Sequence, residues 1–145
     1  MSKTRNIKIR NATLEDKYAI TELANNCAPD LRPSVLGTYE YFARCFKSTF
    51  FVYEENNELK GYIVGFPNID VEGEYWLYQV CVHRSLRGKK VGSKLIVPFI
   101  EKIKELGYKN IRSHANNQHS VNLHEKYGFK KYEQDESGWF MELIL

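Results

Sequence analysis

The chain has 145 residues, of which 43% are hydrophobic and 27% charged, a globular rather than disordered composition with room for one ordinary domain over 1–145. Twenty-one Lys and Arg stand against eighteen Asp and Glu, a net charge of +3. That balance excludes a polybasic nucleic-acid binder and an acidic tail, and still allows a local cationic pocket for an anionic ligand.

In chain order, Asn6 to Arg10 alternates polar and apolar residues and predicts a strand. Thr13 and Asp16 have the spacing of a capping box, and Tyr18, Ile20, Leu23, Ala24 and Cys27 continue at helical spacing until Pro29. A second helix is expected over Val35 to Phe46. Phe50 to Tyr53 and Gly61 to Phe66 read as strands of a hairpin around Glu54–Glu58, and Pro67 to Gly73 as a loop. Glu74 to Val82 is apolar on both faces, the mark of a central strand. A basic loop, His83 to Lys90, leads to a helix from Val91 to Leu106 that contains Pro98, a residue expected to kink it. A strand over Asn110–Ala115, a short helix over Ser120–Tyr127 and two closing strands, Phe129–Glu133 and Trp139–Leu145, complete an α/β layering around a central sheet. Trp139 and that last strand would offer an exposed edge for a homodimer.

Residues Met1 to Asn6 are polar and no apolar run approaches the ~20 residues of a membrane span, so no membrane contact and a cytoplasmic location are expected. Cys27, Cys45 and Cys81 are odd in number, widely spaced and without a CxxC pair, which predicts free thiols in a reducing compartment. His114, His119 and His124 recur every five residues, a spacing that does not share one helix face; with no HExxH, no metal is expected.

Chemistry concentrates in Val80 to Ser93. A buried strand runs into a loop with glycine and four cations, then into a helix start. The first amides of a helix lack internal partners and carry about half a positive charge. Gly88 and Gly92 let the backbone approach a ligand, while Lys89 and Lys90 add charge, so the segment can cradle a diphosphate. Neither GxxxxGK[ST] nor GxGxxG is present.

Arg87-Gly88-Lys89-Lys90-Val91-Gly92 resembles the acetyl-CoA signature [Q/R]xxGx[G/A] of the GNAT N-acetyltransferases, with Lys90 where a glycine is usual. Asn117, Leu123, Lys126, Gly128 and Phe129 match the family's NxxAxxLYxKxGF segment, with Ser120 for Ala. The order of elements agrees along essentially the whole chain. The resemblance implies a single-domain GNAT-like fold, with a mixed central sheet of about seven strands flanked by about four helices. It also implies an acetyl-CoA-dependent N-acetyltransferase in which a primary amine attacks the thioester directly. The co-substrate would be acetyl-CoA, and the acceptor a small-molecule or peptide amine.

By the same resemblance, Val80, Cys81 and Val82 would pair with the pantetheine arm and supply an oxyanion donor. Gly88, Lys89, Lys90, Val91, Gly92 and Ser93 would meet the diphosphate, Arg87 would contact phosphate or brace the loop, and Asn117 would hold the arm and cap its helix. His124 stands where the family's general-acid Tyr is usual and could protonate the leaving sulfur, especially as a cation; Tyr127, three residues on, is a substitute. The attacking amine must be neutral, and Glu74 is the first candidate base. Trp76 and Tyr78 could line the acceptor pocket, with Asp30, Arg32 and Tyr39 supplied by the first two helices and their connection. The competing reading is a non-catalytic acyl-CoA sensor or interaction domain, favoured by His124 in place of Tyr.

Overall fold

The computed structural model describes residues 5–27 and 31–145. Its strands and helices are β1 (Ile7–Asn11), α1 (Lys17–Asn26), α2 (Leu36–Cys45), β2 (Phe51–Glu55), β3 (Glu58–Pro67), β4 (Glu74–Val82), α3 (Val91–Glu105), β5 (Asn110–Ala115), α4 (Gln118–Lys126), β6 (Lys130–Asp135) and β7 (Gly138–Ile144). The strands form one seven-stranded sheet in the order β1-β2-β3-β4-β5-β7-β6. Neighbours are antiparallel except β4 and β5, which are parallel and joined by a crossover through α3. This is the expected mixed α/β architecture.

Local chemistry explains the elements. The Asp16 carboxylate accepts the Thr13 N–H at 2.7 Å and is gripped by Arg10 at 2.7 and 3.0 Å, so the chain turns into α1 through a 3-10 turn over Leu14–Asp16. Pro29 lies outside the described residues, and α1 has already ended at Asn26. The β2–β3 hairpin turns on Asn56 and Asn57, both left-handed, a conformation asparagine tolerates better than most residues.

Two apolar clusters lie on the two faces of the sheet. Ile20, Leu23, Ala24, Tyr39 and Ala43 from α1 and α2 pack with Val52, Tyr62 and Val64 on one face. Leu95, Ile96, Phe99 and Ile103 from α3 and Val121 from α4 pack with Ile63, Leu77, Ile111 and Met141 on the other. Burying a single large side chain of this kind is worth about 1.5–3 kcal/mol, so each helix is held mainly by the stripe it turns to the sheet.

A bulge interrupts β4. Val64 pairs with Gln79, but the next β3 residue, Gly65, pairs with Leu77, leaving Tyr78 as the extra residue. The bulge resets the alternation: Tyr75 and Leu77 belong to the α3 face, whereas Gln79 and Cys81 turn to the α1–α2 face. Only glycine fits opposite, because a β-carbon on Gly65 would lie 2.0 Å from the Trp76 carbonyl oxygen.

Two expectations are corrected. Cys27 and Cys81 form a disulfide with Cα atoms 6.4 Å apart, tying the end of α1 to β4, and Cys45 is the free cysteine. Positions 54 residues apart in sequence are brought together by packing, which spacing alone does not reveal. The last strand is not an open edge: β7 lies between β5 and β6, and the edges are β1 and β6.

Candidate active site

The parallel pairing of β4 with β5 runs only from Glu74–Leu77 against Asn110–Ser113. Beyond Leu77 the strands part, and a cleft of about 1340 Å³ opens between Tyr78–Val82 on one side and Ser113, His114, Asn116 and Asn117 on the other. The bulge at Tyr78 falls at the branch point, where extra local twist turns β4 away from its neighbour. On its other side β4 stays paired with β3. The His83 N–H donates to the Lys60 carbonyl at 2.7 Å, so by antiparallel alternation the Cys81 amide faces β3, while those of Val80 and Val82 face the cleft. Cys81 therefore offers neither a backbone donor nor a free thiol there.

The cleft runs onto the start of α3. Arg87, Gly88, Lys90, Val91, Gly92 and Ser93 line it. The first bond inside the helix is from the Lys94 N–H to the Lys90 carbonyl, so the amides of Val91, Gly92 and Ser93 have no partner in the turn behind them. Lys89 is corrected: its N–H donates to the Leu86 carbonyl at 3.2 Å and it does not line the cleft. Lys90 is left-handed, with φ 63° and ψ 24°, a conformation costing roughly 1–2 kcal/mol for a residue with a β-carbon. The position thus keeps the backbone shape that glycine would take freely, and adds a cation. Asn117 caps α4, its side-chain oxygen accepting the Ser120 N–H at 2.8 Å.

Arg32, Phe66, Trp76 and Tyr78 line the cleft as well. The Tyr78 ring stands against Phe42 at 5.4 Å and its hydroxyl bonds Ser34 at 2.9 Å, which joins the segment before α2 to the bulge. Gln79, missed in the sequence because it sits in an otherwise apolar strand, receives the Tyr39 and Tyr62 hydroxyls at 3.0 and 2.8 Å and donates to the Arg32 carbonyl at 2.9 Å. Tyr39 is corrected accordingly: it is fully buried, away from the cleft, and braces the segment carrying Arg32. Asp30 lies outside the described residues.

Glu74 is corrected as well. It sits where β4 is still paired and does not line the cleft. Its carboxylate receives Asn68 at 2.7 Å and Trp76 at 2.8 Å, and Arg112 lies 3.1 Å away. Burial alone would raise its pKa, but these hydrogen bonds and the Arg112 charge outweigh it and hold the carboxyl below its ordinary range. A carboxylate so held makes a poor base. Tyr127 packs against the α3-side cluster and does not line the cleft.

His124 does line it, buried on the α4 side. Its Nδ1 lies 2.6 Å from the Ser120 carbonyl oxygen and its Nε2 2.8 Å from Ser113 Oγ. A carbonyl can only accept, so Nδ1 carries the proton. Burial pushes the imidazole pKa down, opposed by the bond to Ser120. A neutral ring with its proton on Nδ1 leaves Nε2 to accept the Ser113 hydroxyl. The lowered pKa works against the cationic form of the expected general acid, while the side chain does line the cleft. Ser113, an ordinary inward position of β5, was invisible in the sequence.

Among the described residues, no group of three or more His, Cys, Asp or Glu is placed to hold a metal ion, and no helix is long and apolar enough to cross a membrane.

The L-2,4-diaminobutyric acid acetyltransferase of Marinococcus halophilus is 34% identical over 92 residues, 62% of this chain and 51% of that protein. The enzyme of the same name from Halalkalibacterium halodurans is 32% identical over 98 residues, 66% of this chain and 50% of that protein. The chain thus spans about half the length of these two curated relatives. The diaminobutyrate acetyltransferase of Paenibacillus lautus, solved with L-2,4-diaminobutyric acid and coenzyme A, superposes with a TM-score of 0.85 at 15% identity, covering 97% of this chain and 95% of that one. Ard1 from Thermoplasma volcanium superposes with a TM-score of 0.81 at 20% identity over 96% of this chain and 97% of its own. At such identities these structures share the fold. The model of the acetyltransferase (GNAT) family matches residues 17–129, and by that match the chain belongs to the GNAT acetyltransferase family.

Proposed function

We propose that this chain moves an acetyl group from acetyl-CoA to the primary amine of a small amino acid, by direct attack in a ternary complex. The observation that carries the reading is the parting of β4 from β5 beyond Leu77, which opens a cleft ending at the unpartnered amides of α3. The residues fit the co-substrate. Val91, Gly92 and Ser93 amides with Lys90 suit a diphosphate. The Val80 and Val82 amides suit an extended amide-bearing arm, and one of them would face the thioester oxygen as charge builds on it. Losing one such fixed donor costs about 2.7–4 kcal/mol in a protease.

Arg32 on the acceptor wall suits a carboxylate, and the faces of Trp76 and Tyr78 suit an ammonium. An acceptor with both groups, such as L-2,4-diaminobutyrate, agrees with that wall and with the substrate named for the relatives. The cystine at Cys81 leaves no thiol in the cleft for an acetyl-enzyme, which favours direct transfer.

The test is thiol release from acetyl-CoA, with the product identified by mass spectrometry, for L-2,4-diaminobutyrate and for 1,3-diaminopropane, which lacks the carboxylate. The diamino acid is expected to be preferred, and Arg32→Ala to raise its KM roughly tenfold or more, the loss of a charge-assisted pair being about 1.5–3 kcal/mol. Tight acetyl-CoA binding with no thiol release for any amine would replace this reading with the sensor.

A further inference from the structure

We propose that Ser113 and His124 form a proton relay in the cleft wall, with Ser113 touching the reacting atoms and His124 acting through it as a positioning and proton-holding residue. The inference rests on the reading that the cleft holds the thioester. Three linked atoms carry it: Ser113 Oγ is 2.8 Å from His124 Nε2, and His124 Nδ1 is 2.6 Å from the Ser120 carbonyl oxygen. The Phe129 ring stands edge-on to the imidazole at 5.0 Å and fixes its plane. Ser113, Ser120 and His124 all line the cleft. Ser113 lies on β5 at the last residue paired with β4, at the apex of the opening.

With Nδ1–H committed to a carbonyl, the ring can change charge at Nε2, and Nε2 bonds the Ser113 hydroxyl in the cleft wall. This is the logic of a hydroxyl oriented by a base that is itself oriented by an acceptor. The neutral resting ring is ready to receive a proton.

The step balances as follows. The amine lone pair forms the C–N bond to the thioester carbon. The nitrogen sheds a proton to Ser113 Oγ while the Ser113 hydroxyl proton moves to His124 Nε2. The C–S bond breaks and its electron pair stays on sulfur. Ser113 then gives its proton to the sulfur and recovers one from Nε2, leaving amide, thiol and a neutral pair. Nitrogen and sulfur sit on one carbon during this exchange, so one hydroxyl can serve both. A neutral serine alone could not protonate a thiolate, since its alkoxide is the stronger base; the stored proton on His124 removes that obstacle.

Ser113→Ala is expected to lower kcat about a hundredfold, the lower range for positioned proton transfer, with the Kd of acetyl-CoA by calorimetry unchanged. Ser113→Thr, which keeps the hydroxyl, recovers most of the rate. The solvent deuterium isotope effect on kcat is expected in the wild type and lost in Ser113→Ala. His124→Gln should match Ser113→Ala in rate, and the double variant should cost little more than either. The assay uses acetyl-CoA with L-2,4-diaminobutyrate, or the panel amine of highest turnover. A Ser113→Ala rate within twofold of wild type in a protein that turns over would overturn the relay and leave the acetyltransferase reading standing. Acetyl-Ser113 found by mass spectrometry after acetyl-CoA alone would replace the relay with a covalent route. A wild-type protein that neither binds acetyl-CoA nor releases thiol would overturn both readings together.

Discussion

Gly92→Glu weakens acetyl-CoA binding at least a hundredfold by calorimetry, about 2.8 kcal/mol at 1.4 kcal/mol per factor of ten. Gly92 is the second residue of α3, between two further unpartnered amides. A carboxylate there is itself an anion at a helix N-terminus, a placement worth about 0.3–1 kcal/mol to the helix. It would occupy the amides that a diphosphate needs and repel what it does not displace. The same attraction keeps α3 folded, so the melting temperature should stay near that of the wild type and the loss of binding would not be a loss of structure. Gly92→Ala is the control. Its β-carbon would lie 3.3 Å from Leu123 Cδ2, a tight contact with the tip of a side chain that can give. It should cost less than tenfold. An unchanged Kd for Gly92→Glu would remove the α3 N-terminus from the site.

Reducing the Cys27–Cys81 disulfide, or replacing both residues by alanine, lowers the stability of the chain by about 4 kcal/mol on the chain-entropy account for a loop of this length. For a chain of this size that is a fall in Tm on the order of 10 °C. The effect acts largely on the unfolded chain, which without the link explores many more conformations. Both sulfurs are buried, at 2% and 1% exposure, so cavities in the alanine pair add to the loss while reduction alone does not. Thermal melts with and without a phosphine reductant measure it, and superposable curves would show that the link contributes nothing. The link also fixes the end of α1 to the wall of the cleft beside Val80 and Val82, so the reduced protein should bind acetyl-CoA more weakly.

How much could be read before the fold was known depends on which physics sets each feature. The bounds of β4 and β5 match expectation because two-sided apolarity and strict alternation are local signals. The start of α3 was legible because Arg87–Gly92 matches a family motif, which glycine and lysine after a buried strand would not single out alone. The bulge at Tyr78 was not, since it is a register difference between two strands and Gly65, its partner in tight space, reads as one more strand residue. Glu74 and Tyr39 were misjudged for a common reason. A polar group's role depends on its partners, and theirs arrive from residues far along the chain: Arg112 for Glu74, Gln79 for Tyr39. His124 was found through the family motif, but its tautomer follows from Ser113 and Ser120, which only the packed strand and helix bring to its two nitrogens.

The parted strands are the centre of the account, and a crystal structure of the chain with acetyl-CoA tests them most directly. The pantetheine arm should lie between Tyr78–Val82 and Ser113–Asn117, its amides paired with the Val80 and Val82 backbone, its diphosphate against Val91, Gly92 and Ser93, and its sulfur within hydrogen-bond reach of Ser113 Oγ. Electron density for the co-substrate on any other surface, or β4 and β5 closed along their full lengths, would contradict it.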